Sequence, residues 1–487
     1  MKEIFKILLF GLTTALFSCV DEDKKPNIVF IAVDDLRTDL GCYGNTIVQS
    51  PNIDKLAADG ILFENHFVNV PTCGASRQSL LTGMRPATTA HLGNDITDVE
   101  NSNKPEDSIP ESFIHHLKRN GYKTIGIGKI SHSPDGYVYG YTDQPSQKRE
   151  LPHSWDELHF DYGKWGTGWN AFFGFANGEN RQSMKRQVKP YEKGVVDDLG
   201  YVDGLTTQLA ISKLNELKDN SKPFFLGIGL FKPHLPFTSP EKYWNLYNRD
   251  SIPISPNPSL PANVHLKSLH NSGEVNGYSL TDEKAGLDHR LSDEYAKKLK
   301  HAYYSCISYV DQQIGFIVNE IESLGLAENT IIVVWGDHGW HLGDQQVWGK
   351  HTVFENALKS ALIIKVPNNQ NTKSISSIIE TVDIYPSLME LCNIGLSHPL
   401  DGESFVSIIT GNNMQKDNVS YSYYNKGISL RTNRYRLTRY YRDEEPKIEL
   451  YDHKNDHLET INIALEHPEI VEELSILLEK GNTGLYK

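Results

Sequence analysis

The chain has 487 residues, of which 39% are apolar and 23% are charged, and its net charge is −14. This length suffices for one large α/β domain with a smaller appendage, or for two to three ordinary domains. The acidic balance argues against nucleic acid as a partner, because binding phosphate backbones requires a basic face. An anionic substrate would therefore need a local cationic pocket.

The N-terminus is typical of a targeting segment. Lys2 and Lys6 flank the start of an apolar stretch, residues 7–17, that is too short to span a bilayer. The stretch ends in Leu16-Phe17-Ser18-Cys19, which resembles a bacterial lipobox, and three acidic residues follow at positions 21–23. We expect an exported lipoprotein, held to the outer membrane through lipid on Cys19 at the periplasmic or cell-surface face. An ordinary cleaved secretory signal is the alternative.

Four apolar, β-branched runs predict buried parallel strands, because they lack the polar alternation of half-exposed strands. They are Asn27–Val33, Lys123–Gly128, Phe224–Leu230 and 330–335. Helical patterns lie at 53–58, 111–120, 202–217 and 293–324. Strands that alternate with helices predict a doubly wound, mostly parallel sheet in an α/β fold, with helices on both faces.

Each predicted strand is followed by charged or imidazole side chains. In strand order these are Asp34 and Asp35, Lys129 and His132, Lys232 and His234, and Asp337 and His338. Ligands of open parallel sheets bind beyond the carboxyl ends of the strands. The sequence therefore predicts one polar site at this edge of the sheet.

Two stretches lack clear periodicity. Residues 133–200 are rich in aromatic residues and glycine, and residues 251–290 are rich in proline and asparagine. Long irregular loops in a compact domain are usually functional or flexible. The aromatic side chains are candidates either for stacking on sugar rings or for packing the loops.

The pattern changes past about Gly411. Short strands of an antiparallel sheet are predicted at 419–424, 427–432, 435–441 and 447–451, and a closing helix at Pro468–Lys480. We expect a smaller C-terminal α+β subdomain. The predicted organisation is 1–18 lipoprotein signal peptide, 19–25 acidic tether, 26–411 catalytic domain and 412–487 C-terminal subdomain.

The most specific motif is Cys73-Gly74-Ala75-Ser76-Arg77 followed by Leu81-Thr82-Gly83. It resembles the sulfatase signature C-x-[PA]-S-R-x-x-x-x-T-G, which directs oxidation of the cysteine to formylglycine. The hydrated aldehyde has one oxygen to attack sulfur and another to expel sulfate later, which a thiol cannot do. A helix predicted to begin at Ser76 would direct its dipole toward the anion. The alternative is a turn of small residues with a buried cysteine.

Asp34 and Asp35, together with Asp337 and His338, supply three carboxylates and one imidazole from two distant strands. Oxygen-rich sets of this kind suit Ca²⁺, and histidine tolerates the mixed ligand set. A divalent cation would neutralise the sulfate and activate the attacking hydroxyl. The alternative for each pair is a helix cap or a solvated turn.

Three cations and two histidines complete the predicted site. Arg77, Lys129 and Lys350 are expected near the same edge, where fixed donors would hold the charge of a sulfate ester. His132 and His234 are candidates for proton transfer. We assign His234 to protonating the leaving sugar oxygen and His132 to contacting sulfate or formylglycine, although these roles could be exchanged.

Other titratable residues have no supporting pattern. His115 and His116 lie on an amphipathic helix and His453 and His457 in a C-terminal turn, and we expect all four at the surface. The five cysteines are Cys19, Cys42, Cys73, Cys306 and Cys392. With Cys19 lipidated and Cys73 catalytic, the three that remain are a poor disulfide framework.

Together these motifs resemble the type I sulfatases of the alkaline-phosphatase superfamily over residues 26–487, close to iduronate-2-sulfatase and bacterial polysaccharide sulfatases. Further segments that carry the resemblance are Leu40-Gly41-Cys42-Tyr43-Gly44, Gly128-Lys129-Ile130, Lys232-Pro233-His234, Asp337-His338-Gly339-Trp340 and Trp348-Gly349-Lys350. Ala75 stands where the commonest pattern has proline, and we expect the maturation machinery to accept it.

The resemblance implies one Ca²⁺ per site and a formylglycine at position 73, made by a formylglycine-generating maturase. The implied calcium ligands are Asp34, Asp35, Cys73, Asp337 and His338. The implied set for sulfate binding and proton transfer is Arg77, Lys129, His132, His234 and Lys350.

The resemblance also implies a sulfated oligo- or polysaccharide as the substrate. Candidates are a uronate 2-O-sulfate or a related sugar sulfate, in ulvan-type algal polysaccharide or in glycosaminoglycan fragments. The loops at 133–200, which would select the sugar, do not match the family in detail. A phosphatase or phosphodiesterase on the same fold would carry Ser or Thr as nucleophile, so the cysteine motif disfavours it. A sugar-binding lipoprotein without activity would have little reason to keep the complete site.

Overall fold

A computed structural model describes residues 25–369, 374–411 and 418–486. The predicted signal peptide, the tether up to residue 24 and Cys19 lie outside these residues. Within the described ranges, no helix has both the length and the apolar character needed to cross a membrane.

The structure contains strands in the predicted parallel sheet and in the predicted C-terminal antiparallel sheet, together with several strands that were not predicted. They are β1 (Asn27–Val33), β2 (Ile61–Phe67), β3 (Lys123–Gly128), β4 (Glu157–His159), β5 (Tyr191–Gly194), β6 (Phe224–Leu230), β7 (Phe237–Pro240), β8 (Thr330–Gly336), β9 (His341–Leu342), β10 (Trp348–Gly349), β11 (Leu362–Lys365), β12 (Ser374–Glu380), β13 (Ser420–Tyr424), β14 (Gly427–Arg431), β15 (Tyr435–Tyr440) and β16 (Ile448–Asp452).

The α-helices range from one turn to 31 residues. They are α1 (Pro51–Asp59), α2 (Cys73–Thr82), α3 (Ile96–Asn101), α4 (Phe113–Arg119), α5 (Gly168–Phe172), α6 (Val202–Leu217), α7 (Glu241–Trp244), α8 (Gly273–Asn276), α9 (Asp293–Ser323), α10 (Glu355–Leu358), α11 (Ile384–Leu391), α12 (Val406–Ile409) and α13 (Pro468–Lys480).

The central sheet has eight strands in the order β12-β2-β11-β8-β1-β6-β3-β4. All neighbours are parallel except at β11, which is antiparallel to both β2 and β8. The four strands predicted from sequence are β1, β3, β6 and β8, and they are contiguous in the middle of this sheet. The predicted α/β fold with a mostly parallel sheet is confirmed.

Both faces of β1 are buried, which explains its continuous apolar sequence. Val29 and Ile31 point into one hydrophobic core with α1, α6 and α9. Ile28 and Phe30 point into the other core, which includes residues of α2, α4 and α11. The sheet therefore lies between two helical layers.

The prediction missed three strands on one side of the central sheet and the short edge strand β4. In β2 the half-polar sequence around Glu64 and Asn65 interrupts the apolar run, and β11 has only four residues. Strand β12 is interrupted by serines and pairs with β2 across a register shift. Short or interrupted strands of this kind carry too weak a sequence signal to distinguish them from loops.

The C-terminal region forms the predicted antiparallel sheet, in the order β13-β14-β15-β16, with α13 packed on it. A buried ion network joins it to α10: Arg436 binds Glu459 at 2.6 Å and also Glu355 of α10, and Arg431 binds Glu355 at 2.9 Å. The predicted boundary at 411/412 falls beside residues 412–417, which are outside the described ranges, and it remains a prediction.

Three of the four histidines expected at the surface are not there. His115 and His116 are buried, because α4 turns that face toward α11 and its own N-terminal segment; their rings contact Glu111 and Tyr385. His453 has little side-chain exposure and pairs with Glu459 at 3.1 Å. His457 is exposed, as predicted.

The aromatic residues of the irregular stretch pack largely against one another. Trp165, Trp169, Phe172 and Phe173 are buried in one cluster that rests on Phe231. Loop packing, one of the two roles considered, therefore accounts for most of them. The cysteines Cys42, Cys73, Cys306 and Cys392 are all free thiols, as expected for the part of the chain that the structure describes.

Candidate active site

The carboxyl ends of the four central strands bring the predicted polar residues together. Asp34 and Asp35 follow β1 directly, and the ammonium of Lys129, at the end of β3, donates to Asp34 Oδ2 at 2.6 Å. The N–H of Asp35 donates to Asp337 Oδ1, at the end of β8, at 2.9 Å. Each of these side chains is essentially inaccessible to solvent.

Cys73 is the first residue of α2, three positions before the predicted helix start. Its Sγ lies 3.3 Å from His338 Nε2 and 3.2 Å from Lys350 Nζ. The next residue has no room for a side chain, because a Cβ on Gly74 would lie 2.1 Å from the carbonyl oxygen of Asn94. The first turn of the helix thus presents Cys73 and the helix N-terminus to the same polar centre.

Arg77 lies one helical turn after Cys73 and is fully buried. Its Nε donates to Asp337 Oδ2 at 3.0 Å, and its Nη2 lies 3.5 Å from Asp34 Oδ1. Its Nη1 donates to the carbonyl oxygens of Lys129 and Ile130. The guanidinium therefore joins the ends of β1, β3 and β8.

Four of the five predicted metal ligands form a compact group. Ligand atoms of Asp34, Asp35, Cys73 and His338 all lie within 4.8 Å of one another. Asp34 Oδ1 and Asp35 Oδ2 are buried without a hydrogen-bond partner. The carboxylate of Asp337, the fifth residue, is instead bound by Arg77 and by the N–H of Asp35. Buried carboxylate oxygens without donors fit a hard divalent cation.

The electrostatics of the group also favour a bound cation. Burial raises the pKa of Asp35 well above its usual value, and the neighbouring Asp34 adds to this, although Lys350 opposes it. Burial and Asp34 raise the pKa of Asp337 to about 7. Burial also acts to raise the pKa of Asp34, but the charges of Lys129, His234 and Arg77 together outweigh burial, and the pKa of Asp34 lies well below the usual range. Closely packed carboxylates that resist joint ionisation would be stabilised by positive charge between them.

The imidazole of His338 is oriented toward this group. Its Nδ1 lies 2.9 Å from the carbonyl oxygen of Gly339, which can only accept, so Nδ1 carries the hydrogen. Its Nε2 is then left to face Cys73 and Asp35, at 3.4 Å from Asp35 Oδ1. A neutral imidazole held by such a backbone contact is the usual form of a metal-binding histidine.

Lys350 follows the short strand β10 and closes one side of the centre. Its ammonium donates to Asp35 Oδ1 at 2.8 Å and is almost fully buried. Although burial alone would lower it, the pKa of Lys350 is raised well above its usual value by Asp35, and Cys73 and Glu274 add to the effect. The lysine is therefore a fixed positive charge beside Cys73.

His234 follows β6 on the opposite side. Its Nδ1 lies 2.6 Å from the carbonyl oxygen of Leu235, so Nδ1 donates and Nε2 is the atom that faces the site. Nε2 lies 3.9 Å from Asp35 and 3.9 Å from Glu274. Burial, with Lys350, lowers the pKa of His234 well below its usual value. Lys232 does not enter the site, because its ammonium donates to the carbonyls of His234 and Pro236.

His132 lies farther out, at the rim. Its ring is 5.3 Å from that of Trp169 and is half-buried. It lines an open cleft together with Asn94 and Tyr141. Burial lowers the pKa of His132 well below its usual value, and Lys129 lowers it further. The two histidines thus approach the centre from different positions.

Three residues near the centre were not singled out from the sequence. Glu274, on α8, lies 3.6 Å from Lys350, and Tyr141 and Arg181 lie on the long aromatic loop. All three belong to the two irregular stretches, where periodicity gives no position in space. The long-loop signal marked the stretches as functional candidates but could not identify individual residues.

The chain matches the family model described as Sulfatase over residues 26–394. A second model, described as N-sulphoglucosamine sulphohydrolase, C-terminal, matches residues 336–482. Together the two matches include both the central sheet and the C-terminal sheet.

Two curated relatives illustrate the similarity. A protein named Sulfatase from Formosa agariphila is 31% identical over 511 aligned residues, which cover 98% of this chain and 92% of that protein. Iduronate 2-sulfatase from Mus musculus is 31% identical over 74% of this chain. That alignment covers 64% of the mouse enzyme, so this chain spans less than two thirds of its length.

A solved structure shows the same architecture at lower identity. The phosphonate monoester hydrolase SpPMH from Silicibacter pomeroyi superposes with a TM-score of 0.75 at 21% identity, over 94% of this chain and 95% of that chain. At this identity the likeness concerns the fold.

Proposed function

Because this chain belongs to the sulfatase family and is a sulfuric ester hydrolase, we propose that it removes sulfate from a sulfated carbohydrate with Cys73, matured to formylglycine, as its nucleophile. The observation that carries the proposal is the position of Cys73. It begins α2, lies 3.2 Å from the Lys350 ammonium and adjoins the carboxylates that follow β1. A nucleophile placed among fixed cations and a helix N-terminus suits an anionic ester.

The chemistry would proceed at residue 73. One hydroxyl of the hydrated aldehyde releases its proton to water and its oxygen attacks sulfur, the bond from sulfur to the sugar oxygen breaks, and that oxygen takes a proton. The second hydroxyl then releases its proton to water, the bond from the aldehyde carbon to the sulfate oxygen breaks, sulfate leaves, and water adds to the re-formed aldehyde. Lys129 and Lys350 would hold the sulfate oxygens, Arg77 would fix the strand ends, and His234 Nε2 would supply the proton. His132 would contact the sulfate or the formylglycine from the rim.

One Ca²⁺ would be held by Asp34, Asp35, residue 73 and His338, with Asp337 as the fifth ligand. Support comes from the buried acceptor atoms without hydrogen-bond partners and from the oxygen-rich donor set. The ion would offset the charge of the sulfate and lower the pKa of the attacking hydroxyl. The family of this chain is generally associated with a divalent metal and formylglycine, and calcium is our specific proposal.

We propose a uronate 2-O-sulfate or a related sugar sulfate as the substrate, within ulvan-type algal polysaccharide or glycosaminoglycan fragments. The mouse relative named iduronate 2-sulfatase supports a sulfated uronate. The ring of cations around Cys73 supports an anionic substrate on a chain whose net charge is −14.

Maturation and location are further parts of the proposal. A formylglycine-generating maturase would act on Cys73, and lipid on Cys19 would hold the protein to the outer membrane. The sequence motifs at both cysteines are the support. Mass spectrometry of the mature N-terminus tests the anchor: a diacylglycerol-modified Cys19 is expected, and an N-terminus cleaved elsewhere without lipid would contradict it.

A desulfation panel tests the function. Protein co-expressed with a maturase is incubated with 2-O-sulfated uronate disaccharides, ulvan oligosaccharides, phosphate monoesters and phosphate diesters, and released sulfate or phosphate is measured. We expect sulfate release from the sugars and none from the matched Cys73→Ala variant. Turnover of phosphate esters without any turnover of sugar sulfates would instead support the phosphatase alternative.

A further inference from the structure

Arg181 is fixed beside the site by a short hairpin. Its N–H donates to the carbonyl of Phe173 at 3.2 Å, and Gly174 bridges Asn180 between them. The guanidinium carbon lies 3.5 Å from the centre of the Phe173 ring. The ring of Tyr278 lies 5.6 Å from the same carbon, so the guanidinium packs beside two aromatic rings. Stacking on Phe173 uses the flat face of the guanidinium and does not use its N–H groups, which lie in the plane of the group.

The hairpin places Arg181 near the reaction centre. The Phe173 ring is 6.3 Å from the ring of His234 and 5.8 Å from that of Tyr141. Burial raises the pKa of Tyr141, whereas the charges of both Lys129 and Arg181 lower it. Tyr141 is 44% exposed and lines the open cleft that His132 also lines, so the charge of Arg181 acts at the cleft through which a substrate would enter.

Arg181 has no anionic partner of its own. Across residues 25–369, 374–411 and 418–486, no carboxylate forms an ion pair with its guanidinium, although the side chain is only half exposed. The buried arginines Arg77 and Arg436 each bind carboxylates. A partly desolvated guanidinium without a counter-ion is poorly stabilised unless a ligand supplies the negative charge.

We propose that Arg181 forms a specificity subsite for a second anionic group on the sugar that carries the scissile sulfate. The group is a planar carboxylate, as in a uronate, or a second sulfate, since both accept paired hydrogen bonds from a guanidinium. The inference rests on the proposed function and adds the determinant of its substrate class. Glu274, whose charge lies near Lys350 and His234, would disfavour the anion on that side and so fix the orientation of the sugar.

Binding and turnover are measured for pairs of sugars that differ in one anionic group. The first pair is a 2-O-sulfated uronate disaccharide and its carboxyl-reduced counterpart; the second is a hexosamine with two sulfates and one with a single sulfate. The variants are Arg181→Gln, which keeps a polar stem over Phe173, and Arg181→Lys, which keeps the charge without the fork. Arg290→Ala, at an exposed pair with Asp293, is the matched control.

We expect wild type to favour the anionic member of one pair. Arg181→Gln should lower kcat/KM and affinity for that member by roughly 10-fold to 100-fold, the scale of a lost charged hydrogen bond, and leave the neutral member nearly unchanged. The kcat/KM and affinity of Arg181→Lys for that member should lie between those of wild type and Arg181→Gln, and Arg290→Ala should match wild type. Loss in the first pair identifies the carboxylate, and loss in the second identifies the sulfate. Equal losses on both members, or no preference by wild type, would overturn the subsite.

Failure of the subsite is distinguishable from failure of the proposed function. If matured wild type releases sulfate from no sugar, the proposed function is wrong. Calorimetric binding of the same sugars to calcium-loaded chain with an unconverted Cys73 then still tests Arg181, because it requires no turnover. Thermal unfolding of each variant checks the fold. A loss of binding that is found only in variants that have unfolded counts against the subsite.

Discussion

The ammonium nitrogen of Lys350 lies 3.2 Å from the sulfur of Cys73. The same ammonium donates to Asp35 at 2.8 Å, so the lysine joins the nucleophile position to the carboxylate group. Its pKa is raised well above the usual value, chiefly by Asp35 against the effect of burial, and it therefore stays charged. A fixed charge at this place would stabilise the developing charge of the transferred sulfate.

Lys350→Ala should consequently lower kcat by about 100-fold or more, the scale of losing one fixed donor to a transition-state anion. KM should change less, because the other cations still bind the ground-state ester. Lys193→Ala, an exposed lysine paired with Glu241, is the control and should retain wild-type kinetics. Steady-state sulfate release measures kcat and KM for both variants. A change confined to KM would assign Lys350 to substrate binding alone.

Residue 73 should be formylglycine in active preparations. Peptide mass spectrometry after co-expression with a maturase should show the mass loss of thiol-to-aldehyde conversion, and activity should scale with the converted fraction. The chemical reason is that a plain thiol cannot expel sulfate from its own ester. Full activity in a preparation whose Cys73 is entirely unmodified would contradict the assignment.

Calcium should activate and stabilise the protein. Chelation should abolish activity and Ca²⁺ should restore it, because the ion would relieve repulsion among Asp34, Asp35 and Asp337. Since the ligand group is formed by the folded chain, Ca²⁺ should also raise the thermal unfolding temperature, and the rise should grow with the logarithm of the Ca²⁺ concentration above the Kd. Asp35→Asn should weaken this shift. An unfolding temperature that is insensitive to calcium after thorough metal stripping would refute the site.

His66 should make stability depend on pH. Its ring is buried between the carbonyl of Ser360 and the hydroxyl of Thr381, and burial lowers its pKa from 6.5 to about 4. Below pH 6.5 the His66 ring is protonated in the unfolded chain, whereas in the folded chain it is not protonated until the pH falls to about 4. The contribution of the neutral His66 ring to the free energy of unfolding is thus complete above pH 6.5. It is lost as the pH falls toward 4, and the loss is at most about 3 kcal/mol.

Denaturant unfolding of wild type and His66→Gln between pH 4 and pH 7 measures this difference. Wild type should lose stability more steeply than the variant as the pH falls, so that the two curves converge at acid pH. His457→Gln, which removes an exposed imidazole, controls for the substitution itself. Parallel curves for wild type and His66→Gln would show that His66 does not carry the dependence.

The strands that hold the site were predictable because burial on both faces leaves a continuous apolar run. β1, β3 and β6 begin and end where their sequences predict, and Asp34, Lys129 and His234 follow them for that reason. β2 and β11 were missed because a polar interruption or a short length weakens the pattern. Tertiary contacts rather than local sequence determine such strands.

The residues that surround the centre show the same division. Asp35 and Cys73 were predicted to meet because they lie in motifs with strong local signatures. Glu274 beside His234 and Arg181 against Phe173 were not predicted, because each lies in an irregular stretch whose path depends on packing far along the chain. His115 was wrongly placed at the surface, since a polar residue on a short helix gives no sign of the element that covers it.

The remaining prediction concerns which histidine protonates the leaving group. The Nδ1 hydrogen of His234 is donated to a backbone carbonyl, so Nε2 is the atom that would gain and deliver a proton. Burial and Lys350 lower the pKa of His234, so an acid role requires that a bound anion and the carboxylate of Glu274, 3.9 Å away, stabilise the protonated ring when substrate enters. His132 lies at the rim beside Trp169, where it would contact a bound anion.

The two roles separate on substrates with different leaving groups. A sugar alkoxide is strongly basic and needs a proton, whereas the phenolate of an activated aryl sulfate does not. His234→Ala should therefore slow sugar-sulfate turnover by roughly 100-fold or more, and aryl-sulfate turnover, if any occurs, much less. His132→Ala, which removes a sulfate contact, should depress both substrates alike. Equal losses on both substrates for His234→Ala would exclude it as the acid, and a selective loss for His132→Ala would assign the role there.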